Sequence, residues 1–132
     1  MPLVHLVLVL ALLQFFFFGL AVARARDTYK VPAPATTGNE VFERYFRAQM
    51  NTLEQLIIFG PAIITFTVYV SAWVAAALGV VFIIGRAVYF RGYVRAAEAR
   101  HLGFNLSVVP NMVLLVGGGL GAIWRLIAPW VG

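Results

Sequence analysis

Residues 2–23 read PLVHLVLVLALLQFFFFGLAVA. The run holds no Asp, Glu, Lys or Arg. Crossing the hydrocarbon core of a bilayer takes about 20 apolar residues in helical form. The stretch is therefore read as a transmembrane helix over about 2–26. Its end, Ala21-Val22-Ala23-Arg24-Ala25, has the small-residue pattern of a secretory cleavage site. A leader, however, carries a basic region before a shorter apolar core. No Lys or Arg precedes this run, and a retained first helix is expected.

The rest of the chain follows the same reading. Of its 132 residues, 62% are hydrophobic and 11% charged, whereas a soluble domain carries about 25% charged residues. A soluble fold of this size would leave much of that apolar surface in water. Further helices are predicted over 40–69, 72–98 and 105–128, an all-α four-helix transmembrane domain. Pro32, Pro34 and Gly38 break the first connection. Thr36, Thr37 and Asn39 are candidate caps for the second helix. Pro61 should kink that helix, with Thr65 or a neighbouring helix meeting the freed carbonyl. Ser71 marks a tight break. His101-Leu102-Gly103 reads as the end of the third helix, and Asn105 or Ser107 as the cap of the fourth. Gly117 and Gly121 have the spacing that allows close helix approach. Trp124 and Trp130 suit an interfacial belt.

The formal net charge is +5. In this setting it points to anionic headgroups and not to nucleic acid, because the basic residues sit at helix ends. Arg24, Arg26, Lys30, Arg91, Arg95 and Arg100 gather in the first and third connections, so both should face the cytosol, with the termini opposite. There is no cysteine, hence no disulfide or thiolate ligand. His5 and His101 lack metal-ligand spacing, and no metal site is expected.

Ionisable groups at membrane depth are costly and mark function. Arg47, Asn51 and Glu54 stand at i, i+4 and i+7, on one face of the second helix. Arg86, Tyr89 and Tyr93 repeat the arrangement on the third, and Arg100 continues the row. Opposed, the two faces would form a pocket lined by Arg, Asn, Glu and Tyr. Guanidinium groups bind carboxylates and phosphates bidentately, and Glu54 would meet an ammonium or pair with an arginine. The complement is a zwitterion with additional carboxylates; glutathione fits, and a phospholipid headgroup fits less well. The plainer alternative is that Arg91 and Arg95 snorkel and that Glu43 and Arg47 form a simple helix pair.

The run Phe42-Glu43-Arg44-Tyr45-Phe46-Arg47-Ala48-Gln49-Met50-Asn51-Thr52-Leu53-Glu54 resembles the signature of the MAPEG family, the membrane-associated proteins in eicosanoid and glutathione metabolism. Gly85-Arg86-Ala87-Val88-Tyr89-Phe90-Arg91-Gly92-Tyr93 resembles the third-helix motif of that family. Together the matches cover about 24–100, in the expected order, while the outer helices match in length and character only. The resemblance implies a homotrimer of four-helix subunits that binds glutathione as co-substrate between neighbours, near the cytosolic face. It implies that Arg47, Asn51, Glu54, Tyr89 and Tyr93 hold the tripeptide, that Gln49 and Arg26 contact its backbone or carboxylate, that Arg86 belongs to a buried polar network, and that Arg100 stabilises the thiolate. A lipophilic electrophile would arrive laterally from the bilayer, between the first and fourth helices of adjacent subunits.

Two positions depart from the eicosanoid branch. Gln55 stands where that branch has a tyrosine, and Asp27 where it has a second arginine. Both weigh against leukotriene synthesis and for a general glutathione S-transferase with allied peroxidase activity. A non-catalytic lipid-binding or scaffold protein on the same fold is the alternative, and a small transporter is a third reading, with Glu54 as its one candidate residue. Short loops favour a bacterial inner membrane.

Overall fold

The computed structural model describes residues 1–131. They form α1 (Pro2–Thr28), α2 (Glu40–Tyr69), α3 (Ala72–Arg95), a single 3₁₀ turn (Ala97–Arg100) and α4 (His101–Val131). At 1.5 Å per residue, lengths of 27, 30, 24 and 31 residues each exceed the thickness of a bilayer core, about 30 Å. All four are apolar enough to cross a membrane.

The starts of α2 and α3 are set by their caps. Asn39 takes an extended conformation, and its Oδ1 accepts from Phe42 N at 3.0 Å. Glu43 reaches back to accept from Gly38 N at 3.3 Å. One backbone donor that the first turn leaves unpaired, and one from the residue before the cap, are thereby met. Ser71 does the same for α3 by accepting from Val74 N. Inside α2, Thr65 Oγ1 donates to the carbonyl of Pro61 itself, at 2.8 Å. That is not the carbonyl which the missing proline N–H leaves free, so the expected rescue by Thr65 does not occur.

The junction of α3 and α4 differs most from the sequence reading. α3 ends at Arg95, before the expected Glu98, because Ala96 turns extended (φ −161°, ψ 137°). α4 begins at His101 and not near residue 105. Gly103, read as a terminator, lies inside α4. Its missing side chain serves packing: a Cβ there would come within 2.1 Å of Tyr89 N. Ser107 is likewise interior, and its hydroxyl bonds back to Gly103 O at 2.7 Å. Pro110 falls in the body of the helix.

The interior is layered along the bundle. Val4, Val7 and Ala11 of α1 pack with Phe59, Ile63 and Phe66 of α2, Ala75 and Phe82 of α3, and Leu114 of α4. Phe59 and Phe82 stack with centroids 4.1 Å apart. Gly117 and Gly121 bring α4 onto Phe66 and Tyr69, so the small-residue row works within the chain. Toward the basic end, Phe18 stacks on Phe90 at 4.0 Å, and Arg44 Nε donates to Val94 O, fastening the start of α2 to the end of α3. Outside, Phe16, Phe17, Ile57, Val113 and Leu126 are exposed, as a surface facing acyl chains requires. Trp73, Trp124 and Trp130 are exposed at the end opposite the basic connections, where aromatic side chains suit a membrane interface.

Candidate functional site

At the basic end, α2, α3, the 3₁₀ turn and α4 enclose a cavity of about 580 Å³. Its walls are Arg47, Met50, Asn51 and Glu54 from α2, Tyr89 and Tyr93 from α3, Arg100 from the 3₁₀ turn, and His101 and Phe104 from α4. Helical spacing accounts for the first two groups, since residues four and seven apart share a face. The third comes from the shortened α3. Ending that helix at Arg95 and tightening the link into one 3₁₀ turn brings Arg100 back over Tyr93, with its guanidinium carbon 6.0 Å from the ring centroid. Arg100 Nη1 donates to Ala97 O at 2.6 Å, so the guanidinium is tethered to its own turn.

The tyrosines are held by aromatic contacts. Tyr89 and Tyr93 stack with centroids 5.6 Å apart, and Phe104 packs against Tyr89 at 6.3 Å. Phe104 approaches that closely because Gly103 lets the α4 backbone cross the α3 backbone at Tyr89. Beneath them lies Arg86, fully buried, its guanidinium carbon 4.2 Å from the Tyr89 centroid. Arg86 donates to Asn51 Oδ1 at 2.7 Å, to Thr52 Oγ1 at 3.3 Å and to Ser107 Oγ at 2.9 Å. Three helices thus meet on one guanidinium. Taking such a cation out of water is costly unless its donors are met.

Three of the residues singled out in the sequence lie away from the cavity wall. Arg86 sits behind it, in the network just described. Gln49 points toward α1, with its amide nitrogen near Gly19. Arg26 binds its own loop: Nη1 donates to Ala35 O at 2.7 Å and Val31 O at 3.3 Å, and the guanidinium lies 4.8 Å from the Phe42 centroid. Conversely, Met50, His101 and Phe104 line the cavity without having been singled out for it. Met50 adjoins Asn51 in the quoted motif, whereas His101 and Phe104 were hidden by placing the start of α4 too late. Gln55 has a definite partner in Asn111, whose Nδ2 donates to Gln55 Oε1 at 3.1 Å and to Gln55 O at 3.2 Å. It joins α2 to α4 one turn beyond the Arg86 network.

These features define an integral membrane helical protein with a cation-rich cavity at one end of its bundle. Residues 4–120 match the profile of the MAPEG family, and the chain belongs to that family. It is 46% identical to an uncharacterised protein of Synechocystis sp., over 92% of this chain and 88% of that one. It is 42% identical to microsomal glutathione S-transferase 2 of Homo sapiens, over 86% and 77%. Leukotriene C4 synthase of Cavia porcellus is 36% identical, over 81% and 71%.

Proposed function

We propose that the protein is a membrane-bound glutathione S-transferase with allied peroxidase activity, which presents glutathione as a thiolate to lipophilic electrophiles. One observation carries the reading: a single cavity gathers Arg47, Asn51, Glu54, Tyr89, Tyr93 and Arg100, in a chain whose relatives include a glutathione S-transferase. The Arg47 guanidinium and the Asn51 amide suit the carboxylates of the tripeptide, and the Glu54 carboxylate suits its ammonium. Arg100 is the catalytic residue. A free thiol has a pKa of about 8.5 and is a poor nucleophile at neutral pH. A tethered guanidinium beside the sulfur favours the thiolate. In transfer, the sulfur lone pair forms a bond to an electrophilic carbon, and the leaving group departs with its bonding pair. In peroxide reduction, the sulfur attacks the distal oxygen and the alkoxide leaves. A second glutathione then releases the disulfide and water.

In this reading three subunits assemble, and the open side of each cavity is closed by a neighbour. Arg26 and Gln49, which lie off the wall of their own cavity, would serve the adjoining one. The basic loops face the cytoplasm of a bacterial inner membrane. The Gln55–Asn111 pairing supports a general transferase, since this side chain is occupied in joining α2 to α4.

The test is ultraviolet difference absorbance of the thiolate on detergent-purified protein titrated with glutathione. A saturable signal near neutral pH is expected, reduced at least tenfold in Arg100→Ala and retained in Arg91→Ala. Absence of both the signal and calorimetric binding in the wild type would leave a non-catalytic lipid-binding protein as the better reading.

A further inference from the structure

Arg86 touches no part of the cavity wall except through Asn51 and the face of Tyr89. We infer that it nevertheless decides which chemistry the cavity accepts, by locking the Asn51 side-chain amide with both N–H groups toward the ligand. The inference rests on the glutathione reading for the identity of the ligand, but not for the lock itself.

A guanidinium donates only, so every group that meets it must accept. The two hydroxyls around Arg86 are committed accordingly. Thr52 Oγ1 donates its own proton to Ala48 O at 3.0 Å, and Ser107 Oγ donates to Gly103 O at 2.7 Å. Their lone pairs are left for Arg86. Asn51 has one oxygen, and it stands 2.7 Å from Nη1, the shortest of the three contacts. Turning the amide over would bring its NH2 against the guanidinium, donor against donor, in place of a charge-assisted bond. The remaining face of Asn51 is its Nδ2, which has no partner among the described residues. The buried unpaired side-chain atoms are Gln14 Oε1, Arg86 Nε and Asn111 Oδ1; Asn51 Nδ2 is not one of them, so it is accessible. Asn51 lines the cavity, and that is where the donors open.

Charge reinforces the preference. The hydrogen-bond partners of Arg86 are all neutral, so no carboxylate among the described residues cancels its charge at hydrogen-bond distance. A fully buried cation behind a wall of donors favours a carboxylate or peptide carbonyl at Asn51 and disfavours an ammonium or amide N–H there. Glu54, one turn along α2, is left as the station for the ligand's positive group. The cavity thus reads the polarity of a zwitterion by position, with Arg86 as a positioning residue.

Two independent measurements test this on the full-length protein in detergent. The first needs no ligand. Asn51→Asp keeps an acceptor facing Arg86 and adds a charge pair, so its melting temperature should equal or exceed wild type, whereas Asn51→Leu should melt lower. Equal destabilisation of both variants would overturn the lock. The second is a double-mutant cycle in glutathione Kd by calorimetry. Asn51→Ala and Arg86→Gln should each weaken binding about tenfold, and the double variant should also lose about tenfold. A double variant weakened about a hundredfold would show that Arg86 acts independently of Asn51 and would overturn the inference. Asn51→Asp, which removes the cavity-facing donors without unlocking Arg86, should lose at least tenfold; retention of wild-type affinity would count against the lock. Should Arg86→Gln not fold, the melting temperatures of Asn51→Asp and Asn51→Leu and the glutathione affinity of Asn51→Asp decide the inference. Failure of the wild type to bind glutathione would sink the transferase reading alone, and the melting temperatures would then decide the lock.

Discussion

Replacing Gly103 by alanine should uncouple the cavity from the helix that completes it. The added Cβ would lie 2.1 Å from Tyr89 N, and ordinary contact begins at 3.4 Å. The two backbones must therefore part by 3.4 − 2.1 = 1.3 Å, since the obstacle is main chain and cannot rotate aside. Applied along the line to Ser107, the same displacement stretches the 2.9 Å bond from Arg86 to 2.9 + 1.3 = 4.2 Å, which is no longer a hydrogen bond. Overpacking of this kind costs about 1–3 kcal/mol. Loss of a hydrogen bond to a buried charge adds about 1.5–3 kcal/mol. A total of about 3 kcal/mol at the low end corresponds to a fall in melting temperature on the order of 10 °C. Phe104, carried on the same turn, would retreat from Tyr89, so ligand affinity should weaken as well. Circular dichroism melts in detergent, paired with glutathione calorimetry, measure both. Gly119→Ala is the control, because a Cβ there meets nothing within 4 Å; on an exposed helical face it should be neutral or slightly stabilising. A Gly103→Ala protein that melts and binds like wild type would refute the claim that this crossing depends on a missing side chain.

Three other substitutions probe separate layers. Gln14 donates to Ile83 O at 2.9 Å, but its Oε1 is buried without a partner; Gln14→Leu removes both groups and should leave stability unchanged or raise it by about 1 kcal/mol, measured by thermal melt, and a clear loss would mean that the amide contact outweighs the orphaned oxygen. Phe59→Ala deletes a fully buried ring stacked on Phe82 and should cost about 3–5 kcal/mol; a shift of only a few degrees would mean that the core collapses into the space. Arg26→Ala releases the carbonyls of Val31 and Ala35, so trypsin should cut after Lys30 several-fold faster, and an unchanged rate would show that those bonds do not hold the loop.

The membrane character was legible because lipid demands long apolar runs, and nothing subtler is needed to see 2–23 or the apolar half of α2. Cap chemistry was legible in part: of Thr36, Thr37 and Asn39 it is Asn39 that caps α2, while Ser71, read only as a break, caps α3. The facing of Arg47, Asn51 and Glu54 follows from helical period alone. What escaped was the start of α4. Glycine is an ambiguous signal: it ends helices, and it also lets them touch. At Gly103 the second use operates, and only the neighbouring Tyr89 backbone, fourteen residues back (103 − 89), reveals it. Misplacing that start hid His101 and Phe104 from the cavity and Ser107 from Arg86. Arg26 and Gln49 show the opposite limit, because a motif gives a residue's position along the chain but not which neighbour its side chain meets.

The polar cavity occupies one end of the bundle, while the exposed length of α1 and the far half of α4 face acyl chains. These are different stretches of sequence under different constraints. Around Gly85, Gly103 and Arg86 nearly every added atom meets backbone or a committed donor, so that region has little room to vary. Phe16, Phe17, Leu120 and Ile123 are exposed and constrained mainly to remain apolar. Mutation can therefore reshape the lipid-facing surface almost freely while the end that forms the polar cavity stays fixed. A lineage built on this frame can change what it meets in the bilayer without disturbing its polar cavity.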